Sequence, residues 1–491
     1  MSIASAFADF IATPLDTALA GAEDETAAQQ KAIALFHSVS TEVPAYGAFL
    51  GQHGIQPETI CSIQDFRHLP LINKANYHSK YTLANLCRHG RLAPNDFFAF
   101  SSGSTGQPTL WPRSIADELP IARRFEQAFY DSFRADERRT LAVVCFALGT
   151  WVGGMFTTSC CRHLAARGYP IVTVSPGNNM GEILRVVQRL APEFEQTVLL
   201  GYPPFLKDVV DAGRAAHIDW GAHHTRLVLA GEVFSEEWRS LVGERMGSND
   251  PCHDSVSLYG TADAGVLGNE TPLSIAIRRF LAPHPEAARE LFGESRLPTL
   301  VQYDPRSRYF EVQDGTLLFS GDNGIPLIRY HIADSGGVIP FAAMMDFVRQ
   351  HGFVADVSGR GVRPLPFAYV FGRADFTISY FGANVFPENV TVGLEQSPMS
   401  AWCTGKFVMQ VREDDDRNPY LSIVVELAAG VTADRAKVEA ITESVLRHLR
   451  RLNSEFAHYV PTEKQTPRVE LAPLGDATYF PVGVKHRYTR R

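Results

Sequence analysis

The sequence predicts an α/β fold with a large N-terminal unit of mixed sheets and helices and a small α+β unit after it. Three observations predict this. Short apolar, β-rich runs alternate with helical patterns from about residue 140. The pattern changes character near residue 372. The chain has 491 residues, 45% of them hydrophobic, enough for more than one core.

Residues 1–95 read as mostly helical, with LPLINKANYHSKY (Leu69 to Tyr81) as a turn leading into a helix. The runs LAVVCFAL (Leu141 to Leu148), IVTV (Ile171 to Val174), TVLLG (Thr197 to Gly201), RLVLAGE (Arg226 to Glu232) and VSLYG (Val256 to Gly260) are short enough for buried strands. Between two of them, Ile183, Val186, Val187 and Leu190 follow a helical i, i+3, i+4, i+7 spacing, and Pro192 marks the end. Strands alternating with helices imply a largely buried sheet whose ligands gather at the carboxyl ends of strands.

In the second unit FVMQV (Phe407 to Val411) and LSIVVEL (Leu421 to Leu427) flank the polar turn REDDDRNP and predict a hairpin. Val438, Ile441, Val445, Leu449 and Leu452 then share one helical face, and a final strand completes the unit. The boundary expected from this change is 1–373 for the first domain and 374–491 for the second.

A net charge of -8 argues against nucleic acid as the main partner, because phosphate-backbone binding needs a basic face. Seven scattered cysteines without a CxxC pair suit a reducing cytoplasm better than a disulfide framework. The N-terminus lacks a basic region and its apolar stretch is broken by Asp9, Pro14 and Asp16, which makes a poor secretory signal. No apolar run approaches the roughly 20 residues of a membrane span, so a cytoplasmic protein is expected.

The loop SSGSTGQPT (Ser101 to Thr109) follows the apolar run DFFAF. It is not a Walker A loop, since Gly103 and Gly106 are too close together and Gln107 stands where a lysine would be needed. Its backbone N–H groups and hydroxyls could surround phosphate oxygens; a Ser/Gly linker reads equally well from the loop alone.

The loop, LYGTAD (Leu258 to Asp263), PLIRYHIAD (Pro326 to Asp334) and FGRADF (Phe371 to Phe376) appear in that order. Together they resemble the AMP-forming adenylating superfamily of acyl-CoA synthetases and peptide-synthetase adenylation domains. LPLINKANYHSKY, AGEVFSEEWR (Ala230 to Arg239) and GANVFPENV (Gly382 to Val390) resemble its phenylacetate–CoA ligase and coenzyme F390 synthetase branch. The resemblance covers roughly residues 65–491. It implies a large adenylating domain and a small mobile one hinged near Asp375. It also implies a two-step reaction, in which a carboxylate attacks the α-phosphate of ATP and a thiol or amine then displaces AMP.

Residue by residue, the resemblance implies that Ser101, Ser102, Gly103, Ser104, Thr105 and Gly106 hold phosphate. Tyr259 and Gly260 would pack on adenine and the acyl group, Thr261 would belong to the same cofactor-binding set, Asp334 would bind the ribose hydroxyls, and Arg373 the ribose or phosphate. Asp263 would ligate Mg²⁺ where the family usually has glutamate. Lys485, in PVGVKHRYTRR, falls where the family carries its adenylation lysine, with Val484 between it and Gly483. The acid pocket would draw on Trp151, Gly153, Tyr202, Ala230, Gly231 and Glu232, and its aromatic side chains favour a small aromatic acid. ATP, Mg²⁺ and CoA are the expected cofactors and co-substrate. An amine or a carrier-protein thiol is the alternative acceptor, a non-ligating nucleotide-binding protein is the alternative function, and a homodimer is the expected assembly.

Overall fold

The computed structural model describes residues 3–100, 109–149, 152–248, 250–294, 297–354, 360–373, 378–381, 383–414, 419–453, 456–457, 460–481 and 486–489. Helices dominate the first ninety residues, the longest at Glu25–Glu42, where Asp24 caps the N-terminus by accepting from the Ala27 amide. A hairpin follows. Strands β1 (Phe97–Phe100) and β2 (Leu110–Arg113) pair antiparallel, with Phe100 opposite Leu110. The segment 101–108, outside the described residues, joins these two strands in the chain.

The main sheet has eleven strands. In chain order they are β3 (Thr140–Val144), β4 (Ile171–Val174), β5 (Gln196–Gly201), β6 (Thr225–Ala230), β7 (Ser255–Thr261), β8 (Gly265–Asn269), β9 (Thr299–Gln302), β10 (Tyr309–Gln313), β11 (Thr316–Gly321), β12 (Leu327–Ile339) and β13 (Phe367–Arg373). Their spatial order is β10-β11-β12-β13-β9-β8-β7-β6-β5-β3-β4. The block from β4 to β7 is parallel, and the rest pairs antiparallel.

Helices Val152–Ala166, Met180–Leu190, Pro203–Ala215 and Glu236–Arg245 are the crossovers of the parallel block. Strand alternation explains how both of its faces are covered. Leu141, Val143, Leu199, Leu227 and Leu229 face one buried cluster with Ile183, Val187 and Trp238. Their neighbours Ala142, Val144, Val198, Leu200 and Val228 face another, with Phe125, Phe129 and Leu164. From β3 the chain steps outward to β4, then back to β5 on the other side. This reversal opens a crevice at the carboxyl ends of β3 and β5.

The five apolar runs read from sequence are thus β3 to β7. The last run of residues in LAVVCFAL leaves the sheet after Val144, because Cys145 to Leu148 turn toward the helix at Val152. After β13, a short hairpin of β14 (Ile378–Tyr380) and β15 (Ala383–Val385) precedes the helix Pro387–Leu394. Strands β16 (Cys403–Glu413) and β17 (Pro419–Leu427) form the expected antiparallel pair, and β18 (Arg468–Ala472) adds in parallel after the helix Arg435–Leu452. Ile441, Val445 and Leu449 are fully buried on the sheet with Phe407 and Ile423. No described helix is long and apolar enough to cross a membrane.

Candidate functional site

The carboxyl ends of β5, β6 and β7 deliver Tyr202, Ala230–Glu232 and Tyr259–Thr261 to one edge of the sheet. β12 and β13 reach the same region from the antiparallel side. Tyr259 Oη donates to Asp334 Oδ2 at 2.7 Å, and both residues are buried. Burial and the neighbouring Asp334 hold the Tyr259 phenol well above its usual pKa, so it stays a donor. Gly260 permits the close approach of the β7–β8 hairpin: a Cβ there would lie 2.6 Å from the Gly265 carbonyl oxygen. Thr261 Oγ1 accepts from the Ala264 amide at 3.1 Å and shapes the turn. Asp334 lies opposite Arg373 in the β12–β13 register, which brings these two backbone positions together.

Asp263 occupies the turn between β7 and β8. Fully buried Arg113, at the end of β2, donates to the carbonyls of Ala262 at 2.7 Å and Asp263 at 2.8 Å. The strand leaving segment 101–108 is thereby tied to the turn that carries Asp263. Both Asp263 oxygens are engaged, Oδ1 by Lys74 Nζ at 3.0 Å and Oδ2 by Tyr330 Oη at 2.6 Å. Lys74 is held there because Ile72 bridges to β12: the Ile72 amide donates to the Arg329 carbonyl at 3.3 Å, and the His331 amide donates to the Ile72 carbonyl at 2.9 Å. Nearby, His78 Nε2 lies 3.0 Å from the Leu110 carbonyl, with its ring against Trp111.

Mg²⁺, expected at Asp263, takes hard oxygen ligands in near-ideal octahedral geometry. Here one carboxylate is present, an ammonium already sits on it, and no group of three His, Cys, Asp or Glu side chains suited to a metal occurs among the described residues. A single carboxylate fits a Mg²⁺ that takes its other ligands from substrate phosphates and water, and not a dedicated all-protein cage. Tyr330 commits its hydroxyl to Asp263, and its ring meets Trp111 edge-on. Arg329 is structural. It is buried in β12 at φ 48°, paired with Glu311 at 3.1 Å.

The described residues expected to line an acid pocket form a corner at the ends of β5 and β6. Phe146 and Tyr202 meet edge-to-face with ring centres 5.0 Å apart. Gly153 faces Phe146, since a Cβ on it would come within 3.5 Å of that ring. Gly231 has φ +89°, and a Cβ there would lie 2.6 Å from the Tyr202 ring. Next to it, Glu232 Oε2 accepts from Tyr488 Oη at 3.0 Å. Tyr488 belongs to the C-terminal segment, and no sequence signal pointed to it or to Lys74. Ser101, Ser102, Gly103, Ser104, Thr105, Gly106, Gln107, Trp151, Asp375, Lys485 and the side chain of Arg373 lie outside the described residues. A separate surface hollow of about 440 Å³ opens by Leu227 and Ser255, at the amino ends of β6 and β7. Its position is opposite the corner where α/β sheets bind ligands.

No family model matches the sequence, and no curated protein matches it. Solved structures do. 2-Hydroxyisobutyryl-CoA ligase, in its postadenylation state with R3-HIB-AMP, superposes with a TM-score of 0.67 over 96% of this chain and 89% of that one, at 16% identity. The chain has the fold of an AMP-forming acyl-CoA ligase. The same ligase with 2-HIB-AMP, also postadenylation, gives 0.66 at 16% identity and the same coverage. Its open conformation, with 2-HIB-AMP and CoA, gives 0.54 at 15% identity, covering 94% of this chain and 90% of that one. The adenylate-forming fold thus accounts for both the eleven-stranded sheet and the small C-terminal unit, and the expectation of fold class stands.

Proposed function

We propose that the protein is an ATP-dependent, AMP-forming ligase that activates a small carboxylic acid as its acyl-adenylate and passes the acyl group to the thiol of CoA. The observation that carries this is the convergence of the Tyr259–Asp334 pair and the Phe146–Tyr202–Gly231 corner on one edge of a sheet with the adenylate-forming fold. Asp334, already oriented by Tyr259, would accept from the ribose hydroxyls. The flat faces of Phe146 and Tyr202 favour an aromatic acid. Segment 101–108, which joins β1 to β2, would receive the phosphates. Lys485 would bridge the acid carboxylate and the α-phosphate where negative charge crowds the transition state.

The better superposition on the postadenylation state than on the open one supports reading the present arrangement as the adenylation side of the cycle. The test is an ATP–pyrophosphate exchange screen over aromatic and short aliphatic acids, followed by product masses with CoA, amines and carrier protein. Exchange with at least one acid and a CoA thioester product are expected. Lys485→Ala should lose exchange about 10²–10³-fold, as removal of one preorganised donor does, while thioester formation from supplied adenylate persists. No exchange across the panel would refute the ligase, and undiminished exchange would refute the lysine's role.

A further inference from the structure

Tyr488 lies in a short segment that the small unit carries on the outer side of β16. The Met409 amide donates to the Tyr488 carbonyl at 2.8 Å, and His486 Nε2 lies 2.8 Å from the Phe407 carbonyl. The Tyr488 ring packs against Phe407, with centres 4.9 Å apart, and edge-on against His486 at 4.5 Å. Three contacts thus fix the segment to the small unit, and the Tyr488 hydroxyl reaches across to Glu232 at the acid corner. Burial, with Glu232, Glu388 and Glu395 close by, keeps the phenol protonated and able to donate.

We propose that Tyr488 is a positioning residue for the adenylation step, docking the small unit on the acid corner through its hydrogen bond to Glu232. This rests on the ligase reading above. Glu232 is the residue after Gly231, whose backbone lies on the Tyr202 ring, so the wall that meets the acid and the anchor that meets the small unit are adjacent in the chain. Lys485 precedes Tyr488 by three residues, so an anchored Tyr488 tethers it within about 11 Å of chain reach. The bond must break for the small unit to take any other orientation, which confines its influence to one half of the cycle.

The test compares wild type, Tyr488→Phe, Glu232→Gln and Glu232→Ala in both half-reactions and in deuterium uptake. Tyr488→Phe should lower the turnover of pyrophosphate exchange about ten- to a hundredfold, the worth of a hydrogen bond to a charged group. Thioester formation from supplied acyl-adenylate should be unchanged. Glu232→Gln keeps an acceptor oxygen and should retain more exchange than Glu232→Ala. Deuterium uptake should rise in segments 228–235 and 486–491 of Tyr488→Phe and stay constant in β3 to β5. Unchanged exchange and uptake in Tyr488→Phe, or an equal loss in both half-reactions, would overturn the proposal. Should wild type exchange with no acid, the ligase reading fails, and uptake at the two segments still decides the anchor.

Discussion

Replacing Glu395 by glutamine should remove a pH dependence from the docking of the small unit. Glu395 follows the helix Pro387–Leu394 as its C-cap, where a carboxylate meets the negative end of the helix dipole. Across the interface Ser235 Oγ donates to its Oε2, while Oε1 is buried without a partner. Desolvation pushes its pKa from 4.5 to about 8; Glu237 adds to the rise, and Ser235, Arg278 and Lys207 oppose it. All four of these neighbours belong to the large unit, so undocking returns Glu395 to water and to an ordinary pKa. The docked state then binds a proton that the undocked state gives up between about pH 4.5 and 8. Docking is strongest below that window, weakens as pH rises through it, and loses nothing further above it. The slope approaches about 1.4 kcal/mol per pH unit inside the window and flattens near each end, so pH 6 to 8 costs on the order of 2 kcal/mol, roughly fiftyfold in the docking equilibrium. Small-angle scattering across pH 5.5–9 reads the open fraction. Wild type should open as pH rises, and Glu395→Gln should stay closed. Identical pH profiles for the two proteins would refute the reasoning.

Gly231→Ala places a methyl on the Tyr202 ring at a backbone conformation that costs an alanine about 1–2 kcal/mol, so exchange should fall at least tenfold with the melting temperature lowered by only a few degrees. Tyr259→Phe strips the donor from buried Asp334 and should raise the KM for ATP about tenfold, read from initial rates at saturating acid. Glu270→Ala leaves Arg239 without its 2.7 Å partner and Arg278 without a neighbour at 3.7 Å, both in the buried cluster under β7; urea denaturation should show a loss of about 3–5 kcal/mol.

Periodicity made the parallel block legible, because strands buried on both faces read as continuous apolar runs, and the amphipathic helix at 435–452 declared its single buried face. Of the site, Tyr259, Gly260 and Asp334 are named by the resemblance that the order of the motifs carries, whereas the hydrogen bond from Tyr259 to Asp334 joins stretches 75 residues apart that no local pattern links. Lys74 has no role legible in LPLINKANYHSKY, since its place on Asp263 depends on Ile72 bridging to Tyr330, a contact between distant stretches that no local pattern encodes. The same holds for Tyr488 on Glu232 and Glu395 against Ser235. These pairings exist only once the small unit docks, and each residue taken alone reads as an ordinary surface side chain.

The chemistry of that docking face suits the two-step reading proposed above. The apolar clusters keep to one side or the other; the one centred on Phe407 and Ile441 draws only on residues between 378 and 488. Across the boundary the described contacts are polar: Lys406 on Asp208 at 3.0 Å, Arg245 on the Ser400 carbonyl at 3.0 Å, Ser235 on Glu395, and Tyr488 on Glu232. An apolar core split between the units would have to be exposed whenever they parted, at about 25 cal/mol for each Å² uncovered. Hydrogen bonds and ion pairs are exchanged for water at a net cost of about 1 kcal/mol each. The large sheet and the small one are therefore each stable by their own burial, and their mutual orientation is held by a few replaceable polar contacts. Two of these, at Glu232 and Glu395, fall within a few residues of the acid corner in sequence or across the interface. On the ligase reading, the proposed acid corner and the docking face meet at Glu232, the acceptor of the Tyr488 hydroxyl.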